Sequence, residues 1–262
     1  MHFYSLKTES MKLLIVSLAA ALLLLNCKKS RITPAADIRT AVVKQPATVV
    51  TENGQSFHFL YDEHGRLLVH TDAEAVHYYK PGSDHFLTQV LKDNNGKVIY
   101  KHAQRDAHNR IIQLEKFSAD VAEAIMEFTY NSDGFLSKRK LNVERSGMVQ
   151  EFIYTYDAGN LVKIEECVNT VLTSTMLLEY YDNRFNTVGI DLFDFKQIGF
   201  VTDAQFGNQS KNLVKSLKAI STDGQTGFSF QYFYRTDANG YVRSMQIETG
   251  NRILKKYNFI FQ

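Results

Sequence analysis

The sequence predicts an all-β protein. Its form is an extended, curved antiparallel meander of repeated β-hairpins, an open or half-barrel-like sheet with one irregular insert near residues 188–209. Three observations predict it. A motif of the form aromatic–x–Tyr–(Asp/Asn)–x–x–Gly–x–apolar recurs along the chain, and each copy spells a hairpin. Its turns keep a fixed interval: Asn109, Gly134 and Gly159 lie 25 residues apart, and Tyr181-Asp182 follows Tyr156-Asp157 by another 25. The composition favours strands, with 18 Phe and 14 Tyr against 3 Pro and no Trp.

Residues 1–27 read as a lipoprotein signal peptide. Met11-Lys12 is a short basic start, Leu13 to Leu25 is apolar apart from Ser17, and Leu24-Leu25-Asn26-Cys27 ends the run. Either Met1 or Met11 serves as the start. The apolar run is shorter than the roughly 20 residues that span a bilayer as a helix. A Leu-x-x-Cys ending followed by polar Lys28-Lys29-Ser30 resembles a bacterial lipobox, which makes Cys27 the expected lipidation site. Cys167 is then the one remaining thiol, so no intramolecular disulfide is expected. Residues 28–54, with Thr33-Pro34 and Gln45-Pro46, read as a tether, although Val42-Val43 and Val49-Val50 offer an edge strand.

The repeat domain is expected over residues 55–262. Phe59-Leu60-Tyr61-Asp62-Glu63-His64-Gly65-Arg66-Leu67 is its cleanest motif copy. A three-residue loop ends in a residue at positive φ, which glycine adopts freely and Asn, as at position 109, adopts next best. Asp at the turn entry accepts hydrogen bonds from N–H groups two residues on. Counting outward pairs Tyr61 with Leu67, Phe59 with Val69 and His58 with His70. The same count pairs Asp93 with Lys97, Asp106 with Arg110, Tyr130 with Leu136, Glu127 with Arg139 and Tyr156 with Leu161. Turns are expected at 63–65, 94–96, 107–109, 132–134, 158–159 and 238–240. Val188 to Gln209 breaks the repeat and reads as a loop with a short helix packed on the sheet.

The chain resembles the YD-repeat lipoproteins of Bacteroidota and, more narrowly, their domain of unknown function with a porin-like fold. Two segments carry the narrower resemblance: Tyr180-Tyr181-Asp182-Asn183-Arg184-Phe185-Asn186 and Ser210-Lys211-Asn212-Leu213-Val214-Lys215. Thr187 and Leu213 depart from the pattern, where a Pro and an Asn are usual. The resemblance covers about residues 55 to 262. It implies a curved antiparallel sheet and a lipid anchor, and no activity.

A net charge of +2 and a longest basic run of Lys138-Arg139-Lys140 exclude a nucleic-acid binder. No nucleophile elbow, phosphate loop, His-Glu-x-x-His or Cys-x-x-Cys is present. Seven histidines, from His58 to His108, crowd into 51 residues. If His58 faces His70, two imidazoles on one sheet face make a candidate zinc site, short of a third ligand. The blander reading, turn-tip and half-exposed strand histidines, is preferred. Rows such as Phe57/Phe59/Tyr61, Phe152/Tyr154/Tyr156 and Phe228/Phe230/Tyr232/Tyr234 form either the core, the favoured reading, or an aromatic platform on a concave face.

A membrane barrel, suggested by Tyr257-Asn258-Phe259-Ile260-Phe261, conflicts with charge on both faces of many strands. The sequence therefore points to a lipid-anchored cell-envelope protein of the outer membrane, facing periplasm or cell surface. Its expected role is non-catalytic binding or scaffolding, without cofactor. Its partners are the membrane, through the anchor, and a glycan, peptide or envelope protein. The alternative is a carbohydrate-active or other hydrolytic enzyme of the envelope, which facing carboxylates in a cleft would mark.

Overall fold

A computed structural model describes residues 46–51, 54, 56–63, 67–71, 75–80, 87–91, 96–188 and 206–261. Its strands are β1 (Pro46–Thr51), β2 (Ser56–Tyr61), β3 (Leu67–Thr71), β4 (Ala75–Tyr79), β5 (Leu87–Leu91), β6 (Lys97–Arg105), β7 (Ile111–Ser118) and β8 (Val121–Tyr130). They continue as β9 (Leu136–Val143), β10 (Met148–Asp157), β11 (Asn160–Val168), β12 (Val171–Phe185), β13 (Asn212–Ser221), β14 (Thr226–Thr236), β15 (Val242–Thr249) and β16 (Arg252–Phe261). The antiparallel meander of hairpins is as the sequence predicts.

The open or half-barrel sheet is not. Each strand pairs with its sequence neighbours, and β1 also pairs with β16, so the sixteen strands close into a barrel. β1 lies within the stretch read as a tether, and Val49 stands opposite both Phe259 and Phe57. Closure removes both sheet edges, whose unpaired N–H and C=O groups invite aggregation.

A second correction concerns register. Tyr61 faces Leu67 and Tyr130 faces Leu136, as counted. One step further out, each motif hairpin slips by one residue. Leu60 meets Val69 and Thr129 meets Lys138, leaving Leu68 and Ser137 as extra residues. Ile112, Val162 and Arg243 are extra in the same way. At the opposite end of the barrel Glu123, Thr173, Gly227 and Leu254 repeat the device. In all of these the bulge lies on the strand leaving the turn. Bulges sharpen local twist, and a closed barrel needs a cumulative stagger that flat hairpins do not supply. Glu127 therefore pairs with Lys140, not Arg139, and their charged atoms lie 3.7 Å apart.

A ring of sixteen strands is wide enough for a water-filled channel. Here a large set of inward side chains is packed together instead. Phe59, Ile111, Met126, Phe128, Phe152, Tyr154, Leu178, Tyr232, Met245 and Phe259 belong to one apolar cluster that reaches from β2 to β16. The aromatic rows are the core, as favoured, apart from the exposed Phe228. Arg139 also points inward, its guanidinium 4.3 Å above the Phe152 ring. The outward positions are mixed: Lys138 lies 3.6 Å from Glu151 and Lys163 lies 2.8 Å from Glu165, while Leu60, Ile153, Phe233 and Ile260 are also exposed.

Candidate functional site

The motif turns share one chemistry. Asp106 Oδ1 accepts the N–H groups of His108 and Arg110; Asn131 Oδ1 accepts those of Asp133 and Phe135; Asp237 Oδ1 accepts those of Asn239 and Tyr241. The turns at 107–109, 132–134, 158–159 and 238–240 form where expected. Those at 63–65 and 94–96 lie largely outside the described residues, as does Asp93. Partial desolvation opposes the charge on Asp106 and Asp237. Hydrogen bonds from Arg110 and backbone in one, and from backbone and Arg243 in the other, outweigh it and hold both carboxyls below the usual aspartate value. Asp223, in a similar turn between β13 and β14, is lowered chiefly by the Ser221 hydroxyl.

The described flanks of the connection from β12 to β13 lie at the motif end. Most of the expected insert lies outside the described residues, but its two flanks are defined. Phe206 is buried edge-on against Phe128, ring centres 5.0 Å apart. Asn208 donates from its N–H to Gly134 O at 2.9 Å and from its amide to Asp133 O at 2.7 Å. Gly207 sits at φ +89°, where a Cβ atom would lie 2.5 Å from Gly134 O. Ser210 and Asn212 are buried. Asn212 exchanges hydrogen bonds with Asn160, and its amide reaches Asp182 O at 3.3 Å and Arg184 O at 3.4 Å. Asn186 N–H donates to Lys211 O at 2.9 Å. The segments 180–186 and 210–215, noted separately in the sequence, are thus stitched to each other.

The candidate metal pair does not form. The bulge at Leu68 sets His58 opposite Thr71 and His70 opposite Phe59. His58 is exposed, its Nδ1 3.4 Å from Thr48 Oγ1, while His70 is fully buried. His70 instead stands opposite His77, ring centres 4.9 Å apart, with Phe59 stacked 5.0 Å away. Among the described residues no cluster of three or more His, Cys, Asp or Glu is placed to hold a metal. His102 lies 2.8 Å from Glu115, and His108 occupies a turn tip. His64, His85 and Cys27 lie outside the described residues.

Sequence reasoning missed a groove on the outer face of β12–β14. It has a volume of about 380 Å3 and is lined by Leu177, Glu179, Tyr181, Lys215, Ser216, Lys218, Ser229, Gln231 and Phe233. Its cause is a break in the ladder. β13 and β14 pair only as far as Ser216 and Gln231, beyond which the strands part. Tyr181 fills the split, donating its hydroxyl to Tyr232 O at 2.8 Å, and Arg184 reaches Tyr234 O at 3.4 Å. Opposite, Glu179 pairs with Ser216 and Tyr180 with Val214, so Lys215 is an extra residue beside Ser216. Both lysines of the groove are exposed.

No family model matches this chain, and neither does any curated protein sequence. Solved structures do. A porin-like protein from Bacteroides uniformis superposes with a TM-score of 0.60 at 14% identity, over 83% of this chain and 98% of that one. A porin-like protein from Bacteroides vulgatus gives 0.58 at 13% identity, over 83% and 99%. At such identity the likeness is one of fold: this chain shares the β-barrel of these porin-like proteins.

Proposed function

We propose that the protein is a lipid-anchored, non-catalytic binding or scaffolding protein of the outer membrane, of the YD-repeat lipoprotein kind. One observation carries this reading: the barrel interior is packed chiefly with apolar side chains, and charged pairs stand on its outer wall. A lipid-facing wall has the reverse pattern, with an outward apolar band and a polar lumen. Outward pairs such as Lys138–Glu151 and Lys140–Glu127 would stand in hydrocarbon, where charge is expensive. Attachment to a membrane then falls to acylated Cys27 rather than to the strands. A packed interior suits a rigid body that displays its outer face.

The hydrolytic alternative draws no support from acidity. Asp106, Asp223 and Asp237 are all lowered and all sit in turns, whereas a general acid needs a raised carboxyl in a cleft.

Two measurements test the proposal. The wild-type chain incorporates a fatty-acid analogue and fractionates with membranes, and Cys27→Ser abolishes both. In planar bilayers the purified protein gives no stable conductance steps. Labelling that survives in the variant, or discrete single-channel steps, overturns the reading.

A further inference from the structure

We propose that the groove over β12, β13 and β14 binds an acidic saccharide, with Lys215 and Lys218 on its carboxylate and Phe233 against its ring face. The inference rests on the binding reading above and names the site and the ligand class.

Three observations converge on the groove. The first is its origin. Where β13 and β14 part, Tyr181 and Arg184 satisfy the Tyr232 and Tyr234 carbonyls in place of a neighbouring strand. The split is therefore sealed beneath and leaves a recess above. Its volume, about 380 Å3, falls within the range of small-ligand sites.

The second is charge. The bulge directs Lys215 to the same face as Ser216, and Lys218 projects from that face one pleat on. Among the described residues neither lysine forms an ion pair, whereas lysines on the neighbouring strands do, as Lys163 does with Glu165. The one carboxylate lining the groove, Glu179, accepts the Ser216 hydroxyl at 3.1 Å. Two ammonium groups against one engaged carboxylate leave a positive recess, which complements an anion.

The third is the mixture of surfaces. Phe233 and Leu177 are 43% and 39% exposed and stand at opposite sides of the floor. Between them lie Ser229 and Gln231, short neutral groups that both donate and accept. A sugar acid presents this combination in one molecule: an apolar ring face, several hydroxyls and a carboxylate. An acidic peptide would use the lysines and leave the hydroxyl and amide floor without a periodic partner.

The test is calorimetric titration of the full-length chain in mild detergent, using trigalacturonic acid, its methyl ester and a glutamate-rich peptide. Trigalacturonic acid is expected to bind and its neutral ester to bind at least about tenfold more weakly. Lys215→Gln/Lys218→Gln reduces affinity for the acid by about tenfold or more and leaves the ester unchanged. Phe233→Ala weakens both sugars. All three side chains are exposed, so the melting temperature of each variant is expected to match the parent. Equal binding of acid and ester overturns the proposal, as does tighter binding of the peptide, no binding of the acid up to about 5 mM, or insensitivity to the lysine variant. Any of these leaves the anchored-scaffold reading intact, since that stands or falls on Cys27 acylation and conductance.

Discussion

The two ends of the barrel join neighbouring strands by different means. At the motif end, Asp106, Asn131 and Asp237 gather backbone N–H groups, and the β12–β13 connection ties Asn212 to Asn160 across 52 residues of sequence. Three turns of the opposite end have two residues each. Ala119-Asp120, Asn169-Thr170 and Gly250-Asn251 all have both residues at positive φ. That is the type I′ geometry, whose twist matches paired strands. Aliphatic residues just past these turns, Val121, Val171 and Ile253, are exposed. The Asn212 ties join distant segments at one end, whereas these three turns at the other rest on local backbone geometry. Substitutions at the two ends should therefore differ in size and even in sign.

The largest effect is expected from Phe206→Ala, which empties a buried site against Phe128. It should lower stability by about 3 kcal/mol in a denaturant titration. A loss below about 0.5 kcal/mol would show that the connection is not part of the core. Next come Asn212→Ala and Gly207→Ala. The first leaves the Asn160 amide short of an acceptor and two carbonyls short of a donor, and the second drives a Cβ into Gly134 O at a positive φ. Each should cost about 2 kcal/mol, read as a lowered melting temperature.

At the opposite end the sign reverses. Ala119→Gly and Thr170→Gly relieve side chains held at φ +46° and +70°. Each should raise stability by up to about 1 kcal/mol. Destabilisation by either would remove the contrast between the ends.

The smallest effect sharpens the comparison through pH. Asp106 and Asp237 are lowered from 3.8 in the folded protein. Their contribution is therefore fully present above the unfolded value and is lost as pH falls through the lower folded values. Asp106→Asn/Asp237→Asn keeps the turn acceptor and removes the charge. Its melting temperature should fall less steeply than that of the parent between about pH 4 and pH 2. Identical slopes would assign the acid sensitivity elsewhere.

Much of the fold was legible in the residues, and the reasons differ by element. The turns at 132–134 and 238–240 were visible because Asx acceptors and glycine at positive φ are local requirements that a few residues state in full. The aromatic core was visible as alternation with period two. The bulges were not, because Leu68, Ile112, Ser137, Val162 and Arg243 share no chemistry. Each is set by the stagger of the closed ring rather than by its own side chain. That one-residue offset undid the His58–His70 pairing and hid the His70–His77 stack. Closure was hidden for a similar reason, since β1 is short and its partner β16 is the last strand in sequence order. Of the candidate site, Lys215 stood out only within the segment 210–215, and Lys218 and Phe233 did not stand out at all. The groove was hidden too, because it arises where a ladder stops, and interrupted pairing leaves no composition signal.

The seam between β1 and β16 has a kinetic consequence. Every other pairing joins strands adjacent in sequence, and all of these but β12 with β13 close short loops. The seam joins Pro46 to Phe261 and must wait for the whole ring to be assembled. Refolding should therefore run as a zipper with one slow, late step at the seam. A circular permutant that links these ends and opens the chain in the exposed 144–147 turn makes the seam local. It also turns the pairing of β9 with β10 into the late step.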